Sequence, residues 1–390
     1  MSNFFSKGNP DNFGEFRAMK NAKSAFINIP DPIYSGRLWT HFGDGDNAPN
    51  LWTFAVENSP TARLCVGKIE KFIKGHGFKE NGDMPVNAKG LTANELLAQF
   101  ARSAAYWNGA HVSIVKFTGA GEVGSVYPYQ VSFVRKREDG KILTNKRFGT
   151  GRRALEKAVE HTEFNRFEDK RSRVDRVLSQ VEKEGYQVGD VLYRMKDGEG
   201  LLRDVYPIPE AYAGLETIIA DNKLAVKDLN LIAKGFSADK IIIYPKEIDR
   251  VNRDESGKTQ HDYYREAMSE FQGEDGSGVM LLDGNFIELM PDVKSVDNKA
   301  SLDSTESANV RIPKAICRMF HVPPVLIGMD QANILGNTKA LSDSMEVFNL
   351  TVKEYQSFIL QTFRQLYPAY NWEIQDLQLF KNEPNNPQAL

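Results

Sequence analysis

The chain has 390 residues, 41% hydrophobic and 26% charged, the proportions of a folded protein with cores in two or three domains. Its 49 basic and 52 acidic side chains leave a net charge of −3. With a sequence pI near 6.2, that balance argues against a protein that grips nucleic acid through a strongly basic face. A conduit is not excluded by it, because a channel that bound phosphates tightly would stall the polymer passing through. Cys65 and Cys317 lie far apart in sequence without metal-like spacing, and read as reduced, buried thiols of a reducing compartment. The first residues carry no basic stretch followed by an apolar one, and no apolar run approaches the ~18 residues of a membrane span. A cytoplasm, or something assembled in one, is the expected setting.

Residues 1–50 are rich in Gly, Asn, Asp and Pro and read as an arm or irregular lead-in. A helix is expected from Ser59, a good N-cap with Pro60 behind it, through Cys65, Ile69, Phe72 and Ile73 to Gly75 and Gly77. A second opens on Thr92 with Glu95 three residues on, the spacing of a capping box, and buries Leu96, Leu97, Phe100, Ala104 and Trp107. Strands are expected over 111–117, 126–135 and 141–148. Gly119, Gly121 and Gly124 form a literal GxGxxG, but residues 125–134 alternate like a strand and include Pro128. No helix begins there to hold a pyrophosphate, so the glycines read as a hairpin turn.

Residues 151–184 mix both charge signs at helical spacing, with Leu155, Val159, Val174, Val177, Leu178 and Val181 apolar. Arg171, Arg173 and Arg176 read as a solvated face laced with ion pairs, with phosphate or a neighbouring subunit as the other use. A short strand over 191–195 leads to Tyr206, Pro207 and Pro209. A long helix is expected over 211–236, about 39 Å at 1.5 Å per residue. Leu215, Ile219, Val226, Leu229 and Ala233 form one stripe, and Ile218, Ala225 and Ile232 a second. A helix apolar on two sides needs neighbours on two sides, which a ring of identical subunits supplies.

A buried-type strand over 238–245, a polar helix over 259–271 and a hairpin of 279–282 with 286–290 around Asp283 and Gly284 come next. A further helix is expected from Ser301 to Phe320 with Leu302, Ile312, Ile316 and Met319 apolar and a kink at Pro313. It breaks at Pro323 and Pro324. The plug Val325, Leu326, Ile327 ends at Gly328, and a polar loop runs over 330–337. Leu341, Met345, Phe348, Val352, Tyr355, Ile359, Thr362 and Leu366 then mark one stripe of a long helix that Pro368 stops. Trp372, Ile374, Leu377 and Phe380 are apolar anchors beyond it.

The order of these motifs resembles the portal proteins of tailed bacteriophages. The kinked helix, Phe320-His321-Val322-Pro323-Pro324, the glycine-punctuated loop and the long helix carry the likeness. Tyr206-Pro207-Ile208-Pro209 before a long helix, and 57–78 as a first wing helix, add to it. The resemblance implies an α+β portal fold: an arm (1–50), a wing (51–209), stem helix 1 (210–237), a clip (238–298), stem helix 2 (299–321), a corner and tunnel loop (322–338), a wing helix (339–368) and a minimal crown or none (369–390). It implies a ring, about twelvefold, at one capsid vertex of a virion assembled in the bacterial cytoplasm. Its partners would be double-stranded DNA without sequence preference, the terminase large subunit, a head-tail adaptor and the capsid or scaffold protein, with no membrane and no cofactor.

On that reading Asp330, Gln331, Asn333, Ile334, Leu335 and Asn337 form the tunnel loop. Lys314 and Arg318, four apart, present positive charge to the lumen or pair with Glu216 or Asp221 of a neighbour. Leu215, Ile219, Val226, Leu229, Ile312 and Ile316 pack the stem. Tyr263, Tyr264, Arg265, Met268 and Asp283 of the clip dock terminase or adaptor. Signals of chemistry are poor: the sequence has no GxxxxGK[ST], HExxH or CxxC, and its six histidines have no partner at readable spacing. The other readings are a ring-forming connector or channel scaffold without a packaging role, and an α+β enzyme with unmarked catalytic groups.

Overall fold

The computed structural model describes residues 39–137, 139–146, 148, 158–196, 205–233, 240–244, 251–253, 256–259, 262, 279–283, 292–295, 299–329 and 338–377. The chain divides into two compact units, one of residues 1–218 with 314–390 and one of residues 219–313.

The first unit is built on helices α1 (Ala48–Asn58), α2 (Pro60–Lys74) and α3 (Ala93–Tyr106). Ser59 ends α1 in extended backbone and starts α2, its hydroxyl accepting from Ala62 N–H at 3.1 Å. Thr92 and Glu95 satisfy each other's backbone donors as the capping box expects. Each helix turns one apolar face inward, with Cys65, Ile73, Leu96 and Leu97 fully buried. Against them lies the antiparallel sheet β2–β1–β6, made of His111–Phe117 (β1), Val123–Tyr129 (β2) and Asp190–Arg194 (β6). The glycine motif is the β1–β2 turn, so the hairpin reading holds. Pro128 sits on the edge strand, where a missing donor is tolerated.

The strand expected over 126–135 is instead split. After β2 a 3-10 turn, Val131–Phe133, redirects the chain into Val134–Lys136 (β3), which pairs in a second sheet with Ile142–Thr144 (β4) and Val159–His161 (β5). Val159, taken from the sequence as helical, is therefore in a strand. The helix of that region, α4 (Lys170–Glu184), begins only after Asp169, whose carboxylate caps Arg171 and Ser172 N–H.

Arg173 and Arg176 are not on a solvated face. Arg173 is buried, donating to Gly121 and Asn165 carbonyls and lying 4.8 Å over the Phe117 ring. Arg176 joins Glu168 to Asp190. These arginines pin α4 to the sheet.

The arm expected over 1–50 also ends sooner. Phe42 is fully buried and Asp46 nearly so. Asp46 accepts from Arg135 Nε at 2.5 Å, from Phe42 N–H at 2.9 Å and from Trp39 Nε1 at 3.1 Å. Arg135 spends its other donors on the carbonyls of Ser132, Val134 and Asp46, between the rings of Phe42 and Phe148. Tyr206, from the Tyr-Pro-x-Pro motif, stacks on Phe42 at 4.4 Å and donates to Thr40 O.

The unit is closed by α7 (Thr338–Leu366), whose Phe348, Val352, Ile359, Phe363 and Leu366 are buried. The segment after it lies along the end of α2: Gln375 and Glu373 carbonyls accept from His76 and Lys79 N–H, and Trp372 is buried among Phe78, Phe363 and Tyr367.

In the second unit, β7 (Lys240–Tyr244) lies between β8 (Val279–Asp283), parallel to it, and β9 (Asp292–Ser295), antiparallel. The expected hairpin of β8 with 286–290 lies partly outside the described residues, and β8 is paired with β7. Thr259 and Asp262 exchange capping hydrogen bonds at the expected start of the polar helix, whose remainder lies outside the described residues. Two long helices, α5 (Leu215–Ala233) and α6 (Lys299–Met319), run across the boundary between the units. α5 starts four residues later than the expected 211, because Glu210–Gly214 form a 3-10 turn after Pro209.

A buried ion pair whose side-chain nitrogens and carboxylate oxygens all have partners is costly to break on one side only. Asp46→Asn should destabilise the protein by roughly 3–5 kcal/mol in urea unfolding, with the Asp46→Asn, Arg135→Met double variant less affected than the single one.

Candidate functional site

The corner that joins α6 to α7 is the most sharply determined local structure in the region the sequence marks. Val322 N–H returns to Cys317 O at 2.9 Å and His321 N–H to Arg318 O at 3.2 Å, with His321 left-handed at φ 54. That is a Schellman stop, with histidine where glycine is usual and Pro323 directly after it. The diproline motif is thus the exit of a capped helix. Phe320 stacks on Trp52, itself anchored by Nε1 donating to Tyr106 O at 2.9 Å. A 3-10 turn, Pro324–Ile327, buries Leu326 and ends at Gly328, whose φ of 88 suits glycine.

Polar contacts lock the corner to the rest of the unit. His321 Nε2 lies 3.2 Å from Glu210, Asn108 Nδ2 donates to Glu210 at 3.3 Å, and Tyr355 on α7 donates to Asn108 at 2.8 Å. Burial first, then the Glu210 charge, pushes the Tyr355 hydroxyl up to about 12. Further along α7, buried Gln356 donates to Phe72 O and Ile73 O, two carbonyls that the end of α2 leaves open. Buried His111 bridges Gly109 O and Thr362 Oγ1 at 3.0 and 2.8 Å.

The expected α7 stripe named Tyr355 and Thr362. The buried face includes Gln356 and Phe363 beside them. A glutamine one step off an apolar stripe was the available signal. Nothing local marks Glu210 or Asn108.

The expected site residues fall in several places. Lys314 and Arg318 are on the last turns of α6, Lys314 half-buried and Arg318 exposed. Of the stem set, Leu215 and Ile316 are buried, Ile219 and Ile312 half-buried, and Val226 is 49% exposed. The Leu229 side chain lies outside the described residues. So do the loop residues Asp330, Gln331, Asn333, Ile334, Leu335 and Asn337, and the clip residues Tyr263, Tyr264, Arg265 and Met268. Asp283 ends β8. The large exposed apolar side chains include Val310 on α6 and, three apart on α7, Val347 and Leu350. Among the described residues no group of three or more His, Cys, Asp or Glu could hold a metal ion, and no helix is long and apolar enough to cross a membrane.

No protein-family model and no curated protein matches the sequence. Solved structures do match the fold. A chain of the virion of a native gene transfer agent (GTA) particle aligns at TM-score 0.52 and 12% identity, covering 96% of this chain and 90% of that one. A chain of the neck of an empty GTA particle, computed with C6 symmetry, aligns at 0.51 and 11% identity, covering 90% and 89%. The crystal structure of an HK97-family phage portal protein from Corynebacterium diphtheriae aligns at 0.45 and 13% identity, covering 82% and 94%. The likeness is one of fold. The chain shares an α+β fold with these GTA virion and neck chains.

His111 supplies a pH test of the α7 seat. Burial holds its imidazole at about 4, below the ordinary 6.5, so the folded state binds fewer protons than the unfolded chain between those values. The stability from a neutral His111 is complete above pH 6.5 and is lost as pH falls toward 4. His161, lowered by burial, acts in the same direction, while Asp190, raised by burial to about 6, acts against them. His111→Gln should therefore reduce the slope of stability against pH between 4 and 6.5 in urea titrations. An unchanged slope would remove His111 from that role.

Proposed function

We propose that this chain is the subunit of a phage-type portal: copies close into a ring at one capsid vertex, and double-stranded DNA passes through the ring during packaging and ejection. The observation that carries the reading is the fold shared over 96% of the chain with a component of a GTA virion. The neighbour from the GTA neck, whose structure was computed with C6 symmetry, supports a cyclically repeated subunit. Exposed Val226, Val310, Val347 and Leu350 on the three long helices are apolar surface that adjacent copies would cover.

In this reading α5 and α6 are the stem, the β8–β7–β9 unit is the clip that docks terminase and later the head-tail adaptor, and 330–337 is the tunnel loop. The mechanism is mechanical and electrostatic, with no catalytic step. The lumen meets phosphates rather than base edges. Exposed Arg318 and half-buried Lys314, one helical turn apart, supply positive charge that guides the duplex. The acidic balance of the chain keeps each contact weak, so that sliding costs little.

The test is the double variant Lys314→Glu, Arg318→Glu. Ring assembly should persist, while packaged or retained DNA falls at least tenfold in a packaging assay. Normal packaging by the variant rings would remove both residues from the lining. A second arm is pull-down of the terminase large subunit, which should be lost when Asp283, Tyr263 and Tyr264 are replaced together.

A further inference from the structure

Cys65 and Cys317 stand 252 positions apart in the chain, yet their sulfurs are 4.0 Å apart and both residues are fully buried. Cys65 lies on the inward face of α2 among buried Ala62, Val66 and Ile69. Cys317 is in the last turn of α6, where its carbonyl accepts from Val322 N–H in the Schellman stop. Neither thiol belongs to the proposed lumen or the clip.

We propose that the two cysteines form an oxidative cross-link site. They are a dithiol under reducing conditions and close to a disulfide when the protein meets a small peroxide. The backbone around both residues is helical and capped, so it holds the thiols as neighbours at little further entropic cost. Disulfide sulfurs lie about 2.05 Å apart, so closure needs an approach of about 2 Å, within reach of side-chain rotation and a small helix shift.

The chemistry balances with hydrogen peroxide as the oxidant. One thiol sulfur attacks a peroxide oxygen, an S–O bond forms, the O–O bond breaks and water leaves, giving a sulfenic acid. The second thiol sulfur attacks that sulfur, an S–S bond forms, the S–O bond breaks and a second water leaves. Two sulfurs lose two electrons in all, and both thiol hydrogens end in water. The uncharged, water-sized oxidant suits a site that bulky disulfides such as oxidised glutathione cannot enter.

The bond would tie the end of α6, four residues after Pro313, to α2. Its effect on stability comes from restricting the unfolded chain across a very long loop. It does not depend on the portal reading, because every residue it uses is within one compact unit.

The experiment treats the purified full chain with hydrogen peroxide, quenches it, and counts thiols after denaturation. Expected are the loss of both thiols, a mass about 2 Da lower, a peptide joining 65 to 317, and a melting midpoint raised by roughly 5–10 °C and restored by reductant. Cys65→Ser should show no midpoint rise and should leave on Cys317 a sulfenic acid that dimedone traps when it is present as the chain is denatured. Cys317→Ser serves as the mirror case if the first variant folds poorly. Two intact thiols, at a peroxide dose that oxidises the same chain in denaturant, would overturn the proposal. So would sulfinic acid on either cysteine or a link between copies.

Discussion

The first compact unit depends on where α7 puts its apolar stripe. Most of the stability of this 29-residue helix comes from the face it buries rather than from intrinsic propensity. Phe348 meets Phe72 of α2 edge-on at 4.7 Å, Phe363 meets Phe78 and Phe100, and Ile359 is fully buried. Gln356 completes the seat by satisfying the open carbonyls at the end of α2, so the contact is polar where α2 stops and apolar elsewhere. With α2 and α3 fixed in this way, the strap after α7 has a surface to lie on. Gly75 lets it approach: a Cβ there would meet Gln375 O at 2.1 Å.

The covered stripe also limits what can drive assembly. Surface that a single copy buries cannot close a ring. What remains exposed among the described residues includes Val347 and Leu350 on the outer side of α7, Val226 on α5 and Val310 on α6. Single exposed apolar residues are ordinary on a protein surface. Their placement on the three longest helices is what suits side-by-side packing of identical subunits. In the proposed ring such an interface would bury apolar rows of modest width and leave the lumen side to polar and charged groups.

Local rules carried much of the fold. Ser59, Thr92 with Glu95, and the diproline stop are each settled within four residues by backbone donors and acceptors, and the structure has them where the sequence put them. Pairings between distant residues were not legible. Asp46 meets Arg135 across 89 positions and Cys65 meets Cys317 across 252, and no local pattern marks either pair. The same limit hid the burial of Arg173 and the half-buried pairing of Arg176 with Asp190, since charges at helical spacing look alike whether water or a sheet faces them. β4 falls inside the strand expected over 141–148, but the turn that separates β3 from β2 and the strand β5 were missed, because three residues carry too little periodicity to separate a strand from its surroundings. Of the candidate site, the corner and the two α6 cations were legible. In the proposed ring their use would depend on neighbouring copies, which one sequence does not describe.

The central claim, that copies of this chain close around a duplex, is tested most directly by negative-stain electron microscopy of the full chain under capsid-assembly conditions. The account predicts end views of closed rings with a central hole able to pass double-stranded DNA. Fields containing only compact single-chain particles would contradict it.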